Sequence, residues 1–549
     1  MKKFTDDSYL LILASAFAIT IALTPWINSD SLIVPKIAIL LATSFYMLPR
    51  LILDLQKIKT NRLSKVLSFL ALAIMFQLLL VIFTTSAPWE QQFYGRTGRG
   101  LGFITEFSLL IVLLISYFND SVNKVRNFLL FFTLSCLISS LYSILQRFNL
   151  DIFEWNTRTN GIIGTLGNPN FQSSFAAMAL VPSIFYFLGS KNGLIKSILT
   201  TIPFIFVIYI SQSTQGYVAS FIAICTMLLV FLWYKNRWAF YGFSIFSFIS
   251  LVLIIQGMLN NGFLAGYLYK PSVISRGEMV RNSFSVAKDN PIFGVGLDSL
   301  GDFYLKYKDA KTAKGVNEFT DHAHNIFVNY AATGGFPLAI LQFLIVLLVA
   351  YVFILLLRKN PQFNKEIAIL FSMWVCFQAQ ALISPANISM LIWNAILSGT
   401  LLGIHRESNI LIVKNINKKS NILDLTKPFS LFLLLGSLFI SYPYFNVDKM
   451  QSDSAKNGDG NLAMKSALSF PESTVRYSRI ANAFIESNLA APALELGRAA
   501  AKFNPNAPSA WGLILVNNTG TKEERIKAKN TLIKLDPQNE EIREIIIPE

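Results

Sequence analysis

The chain has 549 residues, 53% hydrophobic and only 14% charged, with a mean hydropathy of +0.48. Soluble domains carry about 25% charged residues, so the composition excludes an ordinary soluble enzyme and points to a membrane protein. The net charge of +15 suggests nucleic acid only until it is located: from Asp448 onward 13 basic residues face 13 acidic ones, so the whole excess lies in the oily part and no nucleic-acid partner is expected.

A bilayer-crossing helix needs roughly 20 apolar residues. Thirteen runs come near that length: 8–24, 31–48, 66–85, 101–118, 127–146, 171–189, 197–211, 216–234, 238–258, 336–357, 366–384, 388–404 and 428–443. The predicted fold class is all-α. It is a polytopic membrane protein of about 13 transmembrane helices, with a large extracytoplasmic loop and a small α-helical repeat domain. The first run follows Lys2 and Lys3, and Ala14-Ser15-Ala16 imitates a cleavage site. It reads as a retained first span, because a multi-span protein does not need cleavage.

Lysine and arginine crowd every second short loop: Lys2, Lys3; Arg50, Lys57, Lys59, Arg62, Lys65; Lys124, Arg126; Lys191, Lys196; Lys235, Arg237; Arg358, Lys359, Lys365; Arg406, Lys414, Lys418, Lys419, Lys427. The alternate short loops hold few: Lys36, Arg96, Arg99, Arg147 and Arg158. This asymmetry predicts a cytoplasmic-membrane protein with its N-terminus inside. The 259–335 loop and the C-terminal tail then lie outside. Residues 1–447 form the predicted membrane domain and 448–549 the outer tail.

The tail is charged, Ala-rich and helical in pattern. Ser469-Phe470-Pro471, Phe503-Asn504-Pro505 and Leu535-Asp536-Pro537 recur at spacings of 34 and 32 residues. A period near 34 with a closing proline resembles tetratricopeptide repeats, which offer a concave surface to a peptide or protein partner. A generic helical tail is the plainer alternative. The three cysteines, Cys136, Cys225 and Cys376, fall inside apolar runs and read as small core or lipid-facing residues.

Four outer segments can carry chemistry. Pro88–Gly100 places Arg96 and Arg99 among glycines at a membrane edge. Guanidinium binds phosphate through two parallel hydrogen bonds; interfacial anchoring is the alternative. Gly167-Asn168-Pro169-Asn170 makes a tight turn before a span. Its asparagines can bond sugar or phosphate, or simply cap a helix. Arg276 precedes a predicted amphipathic helix at 278–288 and a Gly-rich turn, Asn290–Gly296. It lies 48 residues before His324.

The fourth segment is Asp321-His322-Ala323-His324-Asn325, which holds two of the three histidines of the chain. An imidazole accepts a proton near neutral pH, and Asp321 is available to orient it. If the segment begins the next helix, His322 and His324 point about 200° apart. The flanking residues lack metal-ligand spacing, so neither a metal nor a cofactor is expected.

Asp321-His322-Ala323-His324-Asn325-x4-Tyr330-x3-Gly334-Gly335 resembles the signature of the O-antigen ligase / O-antigen polymerase superfamily. So, in the same order along the chain, do Gly95-Arg96-x2-Arg99, Gly167-Asn168-Pro169-Asn170, Arg276 and Pro291-x2-Gly294-x-Gly296. The ordered set covers about 80–405, and members with an outer tetratricopeptide tail resemble nearly the whole chain. The resemblance implies metal-independent transfer of a glycan from a polyprenyl pyrophosphate carrier to an acceptor hydroxyl. It implies His324 as base and Arg276 as pyrophosphate clamp, with Arg96 and Arg99 as secondary contacts. His322, Asn325, Asn168, Asn170 and Gln215 complete the expected substrate contacts. Where the family often carries Ser-Arg-Gly, this chain has Thr214-Gln215-Gly216, so one phosphate-binding charge is missing or moved. Expected partners are the lipid-linked donor, membrane lipid, and a glycolipid, cell-wall or protein acceptor. Polysaccharide polymerase, protein O-oligosaccharyltransferase and lipid-linked glycan transporter are the alternative functions.

Overall fold

The computed structural model describes residues 8–55, 61–119, 123–153, 155, 162–308, 319–410 and 422–547. Lys2, Lys3, Lys57, Lys59, Arg158, Lys414, Lys418 and Lys419, counted above in the charge asymmetry, lie outside those residues.

Within a bilayer core a backbone must satisfy its own hydrogen bonds, and a helix does so locally. The oily runs accordingly fold as α1 (Ser8–Ile21), α2 (Val34–Asp54), α3 (Arg62–Thr84), then a short α4 (Trp89–Tyr94), α5 (Phe103–Phe118), α6 (Lys124–Arg147), α7 (Pro169–Phe185), α8 (Gly193–Ile210), α9 (Thr214–Lys235) and α10 (Arg237–Met258). The long loop after α10 holds α11 (Ala265–Leu268), α12 (Pro271–Asp289) and α13 (Leu300–Phe303). Then come α14 (Ile326–Lys359), α15 (Lys365–Ala381), α16 (Ile388–Ile410) and α17 (Ile422–Asn457).

Each of the thirteen predicted runs is helical. Nine helices among the described residues are long and apolar enough to cross a membrane; α1 and α5 are apolar but shorter. The number 13 is therefore not confirmed as a count of spans. The shorter α5 is buried on nearly every face, packed in the core with α2 and α16. In contrast, α10 buries only Gly257. Its apolar surface suits a helix whose neighbour is lipid.

The predicted boundary at 447/448 falls inside α17, which runs unbroken to Asn457. The tail continues as α18 (Gly460–Leu468), α19 (Thr474–Glu486), α20 (Ala490–Phe503), α21 (Pro508–Val516), α22 (Lys522–Leu535) and α23 (Glu540–Glu544). Each of the three proline motifs follows or ends a helix, at α18, α20 and α22. Small residues let neighbouring helices approach: Ala467, Ala481, Ala500, Ala510 and Ala528 are all buried in a separate tail core.

The tail lies against the end of the bundle that carries α4 and the loop after it. Trp89 stacks on Phe470 and Tyr94 on Tyr444. The hydroxyls of Thr97 and Ser473 meet at 2.7 Å, and Lys456 donates to the carbonyl of Trp26.

Candidate functional site

The histidine segment is not helical. Residues 319–325 form an irregular stretch, and α14 begins only at Ile326. The side chain of Asn325 caps it, accepting from the backbone N–H of Phe327 and Val328 at 3.0 and 3.1 Å. Such a cap stabilises a helix by about 1 kcal/mol. The amide nitrogen of Asn325 donates to the carbonyl of Leu382. Asn325 therefore fixes where the histidines stand.

The premise that the two histidines share a helix fails, yet they do differ in surroundings. His322 is buried, and its Nε2 accepts from the backbone N–H of Ala386 at 3.5 Å. Its backbone is tied on both sides by the Thr320 hydroxyl. His324 is half-buried in a left-handed conformation, φ 53°. Burial lowers its pKa to about 3, helped by the charges of Arg276 and Arg99 and opposed by Asp321. His322 is also lowered well below the usual histidine range, chiefly by burial and then by Arg99. Both imidazoles are neutral at pH 7. The Nδ1 of His324 is buried without a hydrogen-bond partner.

Arg276 is on α12, which begins at Pro271 rather than at 278. The missing N–H of proline costs nothing at a helix start. The helix brings Arg276 close enough to lower the His324 pKa. Among the described residues Arg276 has no hydrogen-bond or ion-pair partner.

The other two arginines are occupied. Arg99 grips Asp321, with Nη2 2.8 Å from Oδ1 and Nε 3.1 Å from both oxygens. Asp321, expected to orient an imidazole, is held by Arg99 instead, and the guanidinium keeps its carboxyl well below the usual range against the opposing effect of burial. Arg96 is buried, and its Nη1 lies 2.7 Å from Oδ1 of Asp302. The loop between them is pinned at three points. The carboxylate of Asp298 accepts from the N–H of Arg96 and Leu101 at 2.7 and 3.0 Å, and Asp30 accepts from Gly98 at 2.9 Å. Burial pushes the Asp298 carboxyl up to about 6 even so.

The Gly-rich turn and the Gly334-Gly335 pair lock together. At Gly335, φ 80°, α14 kinks. The freed carbonyls of Ala332 and Thr333 accept from Val295 and Gly296, and Phe336 N–H donates to Pro291. The amide of Gln77 donates to the carbonyls of Ile292 and Gly334. A Cβ on Gly335 would lie 2.1 Å from the carbonyl oxygen of Ile292. The turn therefore closes a broken helix, and sets α12 and its Arg276 against the start of α14.

Asn168 caps α7, accepting from Asn170 N–H at 2.8 Å, and Asn170 accepts from the Ser213 hydroxyl at 2.7 Å. Gln215 is buried and donates to Gln380 at 3.1 Å; its oxygen has no partner. These three join α7, α9 and α15 rather than the arginine loop. Beside the turn before Asn168, a cavity of about 460 Å³ is lined by Gln146, Arg147, Asp151, Trp155 and Gln212.

Three residues escaped the sequence reading. Asp298 and Asp302 are two of the acids that hold the arginine loop; nothing in their spacing marked them. Glu106 did carry a signal, as the one charged residue in the apolar α5. Its carboxylate accepts from the Tyr330 hydroxyl at 3.1 Å and lines a cleft of about 80 Å³ with Gln342, Gln378, Asn394 and Ser398.

A family model described as O-antigen ligase matches residues 199–343, a stretch that holds Gln215, Arg276, His322, His324 and Asn325. No curated protein matches the chain.

Proposed function

For this chain, a multi-pass membrane protein of the O-antigen ligase superfamily, we propose the metal-independent transfer of a glycan from a polyprenyl pyrophosphate carrier to an acceptor hydroxyl at the outer face of the cytoplasmic membrane. One observation carries the reading: Arg276 is the site arginine left without an acid, and it stands near a neutral histidine. Arg96 and Arg99 already spend their charge on Asp302 and Asp321. A guanidinium with no carboxylate on it is what a pyrophosphate needs.

The chemistry follows. The acceptor oxygen attacks the anomeric carbon as His324 takes its proton. The bond from that carbon to the phosphate oxygen breaks, and its electron pair stays on the pyrophosphate. Arg276 stabilises the growing charge. Direct displacement inverts the anomeric centre. A histidine of pKa about 3 is a weak base, but bound pyrophosphate offsets the positive charge of Arg276 and raises it. The base therefore gains strength when the donor is in place. The helical tail favours a ligase acting on a protein or cell-wall acceptor over a polymerase, since stacked helix pairs present a binding surface.

The test is donor binding. Arg276→Lys and Arg276→Ala should both weaken binding of undecaprenyl pyrophosphate by purified protein, because both lose the planar fork. Unchanged binding in both variants would remove the clamp and the reading with it.

A further inference from the structure

The tail reaches into the arginine cluster. Asn504, in the Phe503-Asn504-Pro505 turn after α20, is 1% exposed, and its Nδ2 lies 2.9 Å from Oδ2 of Asp302. The same oxygen accepts from the amide of Gln91 at 2.8 Å, while Oδ1 takes the guanidinium of Arg96. The other end of the Asn504 amide accepts from Asn506 N–H at 3.2 Å, which fixes its orientation. Gln91 also donates to the Ser299 hydroxyl. The cluster is fully enclosed: Asp302 is 3% exposed and Gln91 5%. A buried carboxylate holds its position through the donors around it, and each lost donor leaves a desolvated oxygen.

Asp302 matters because of what it anchors. It holds Arg96; the Arg96 loop carries Arg99; Arg99 holds Asp321, which sits three residues before His324. The proline turn of the tail is thus more than a helix stop. On the transfer reading given above, we infer that Asn504 is a positioning residue: the tail supplies one of the two donors on Oδ2 of Asp302 and thereby sets the Arg96–Arg99 loop against the histidine segment.

Asn504→Asp keeps shape and the contact to Asn506 but turns the donor into an acceptor facing a carboxylate. Two measurements on the purified full-length protein test it. Hydrogen exchange on the ligand-free protein should speed up at the Arg96 and Leu101 amides, which bond to Asp298, by about tenfold or more, while exchange in 474–486 stays at the wild-type rate. Misplacing catalytic groups by about 1 Å can cost about 10²-fold, so transfer from an undecaprenyl pyrophosphate-linked glycan should lose at least about tenfold in kcat, with acceptor KM unchanged. Asp302→Asn should restore part of both in the Asn504→Asp background, since the amide and carboxylate then exchange places. Asn506→Ala, which removes an exposed contact to Ser86, should behave as wild type. Where Asn504→Asp does not fold, Asn504→Ala with and without Asp302→Asn gives the same comparison, and the loss should not add in the double variant. Unchanged exchange at Arg96 and Leu101 overturns the proposal, as does an effect confined to acceptor KM. Absence of transfer by the wild-type protein beside loosened amides in Asn504→Asp would sink the transfer reading while supporting the contact, so the two failures read differently.

Discussion

Arg99 closes on Asp321 through three contacts of 2.8 to 3.1 Å, and it does so within four residues of His324. The pair removes one arginine from the set free to hold phosphate and leaves Arg276 as the open one. Asp321→Asn should destabilise the protein by roughly 1.5–3 kcal/mol, the range for hydrogen bonds to a charged group. The Asp321 carboxyl is depressed in the folded state. Its contribution is therefore complete above the unfolded value of about 3.9 and declines as pH falls below it. Melting temperatures of wild type and variant should differ at pH 7, and the difference should begin to narrow only as pH falls below about 3.9.

His324→Ala should abolish transfer while preserving folding and donor binding, because loss of a catalytic base costs roughly 10²–10⁴-fold. His322→Ala should act differently. It removes a buried ring that accepts from Ala386 N–H, so it should lower the melting temperature more than the rate. Assays on the purified single variants decide; a dead His322→Ala beside a normal His324→Ala would reverse the roles.

Free and donor-bound enzyme should titrate at different pH. His324 is lowered to about 3 without ligand. The folded state then binds fewer protons than the unfolded chain between about 3 and 6.5, and stability falls as pH drops through that window. Pyrophosphate beside Arg276 should raise the pKa in the complex. The acid limb of kcat should therefore lie at higher pH than that of kcat/KM. Coincident limbs would show that the donor's charge never reaches His324.

Gly335→Ala should unseat the 291–296 turn. A side chain there must accept φ 80° and meet the Ile292 carbonyl oxygen at 2.1 Å. Strain of this kind costs roughly 1–3 kcal/mol. Thermal unfolding should read the loss. Donor affinity should fall with it, because the turn sets α12 and Arg276 against α14.

The topology is open to a direct check. Reporter fusions at Asn317 and Asn457 should both read as extracytoplasmic. A cytoplasmic signal at Asn457 alone would place α17 the other way round and separate the tail from the loop.

How much of this was legible in the sequence depends on range. Apolar run length set the helices, because a backbone in lipid can satisfy itself only locally. The run 101–118 became α5 for that reason, and the same local logic made Asn325 and Asn168 caps. What the run length did not tell is whether a helix faces lipid or protein: α5 and α10 read alike, yet one is buried all round and the other hardly at all. The histidines stood out because the chain holds only three, and Arg276 and the paired glycines by their place in and after the long polar loop. Which arginine stays free did not. Arg96 and Arg99 carry the same motif whether paired or open, and only folding brings Asp302 and Asp321 to them from more than 200 residues away. Nor could a proline turn in the tail announce that its asparagine completes a buried carboxylate in another part of the chain. The sequence determined the elements and the chemically able residues, since propensity and composition act over a few positions. The tertiary structure decided which charges are spent and which remain, since buried ions are settled by partners that only packing supplies.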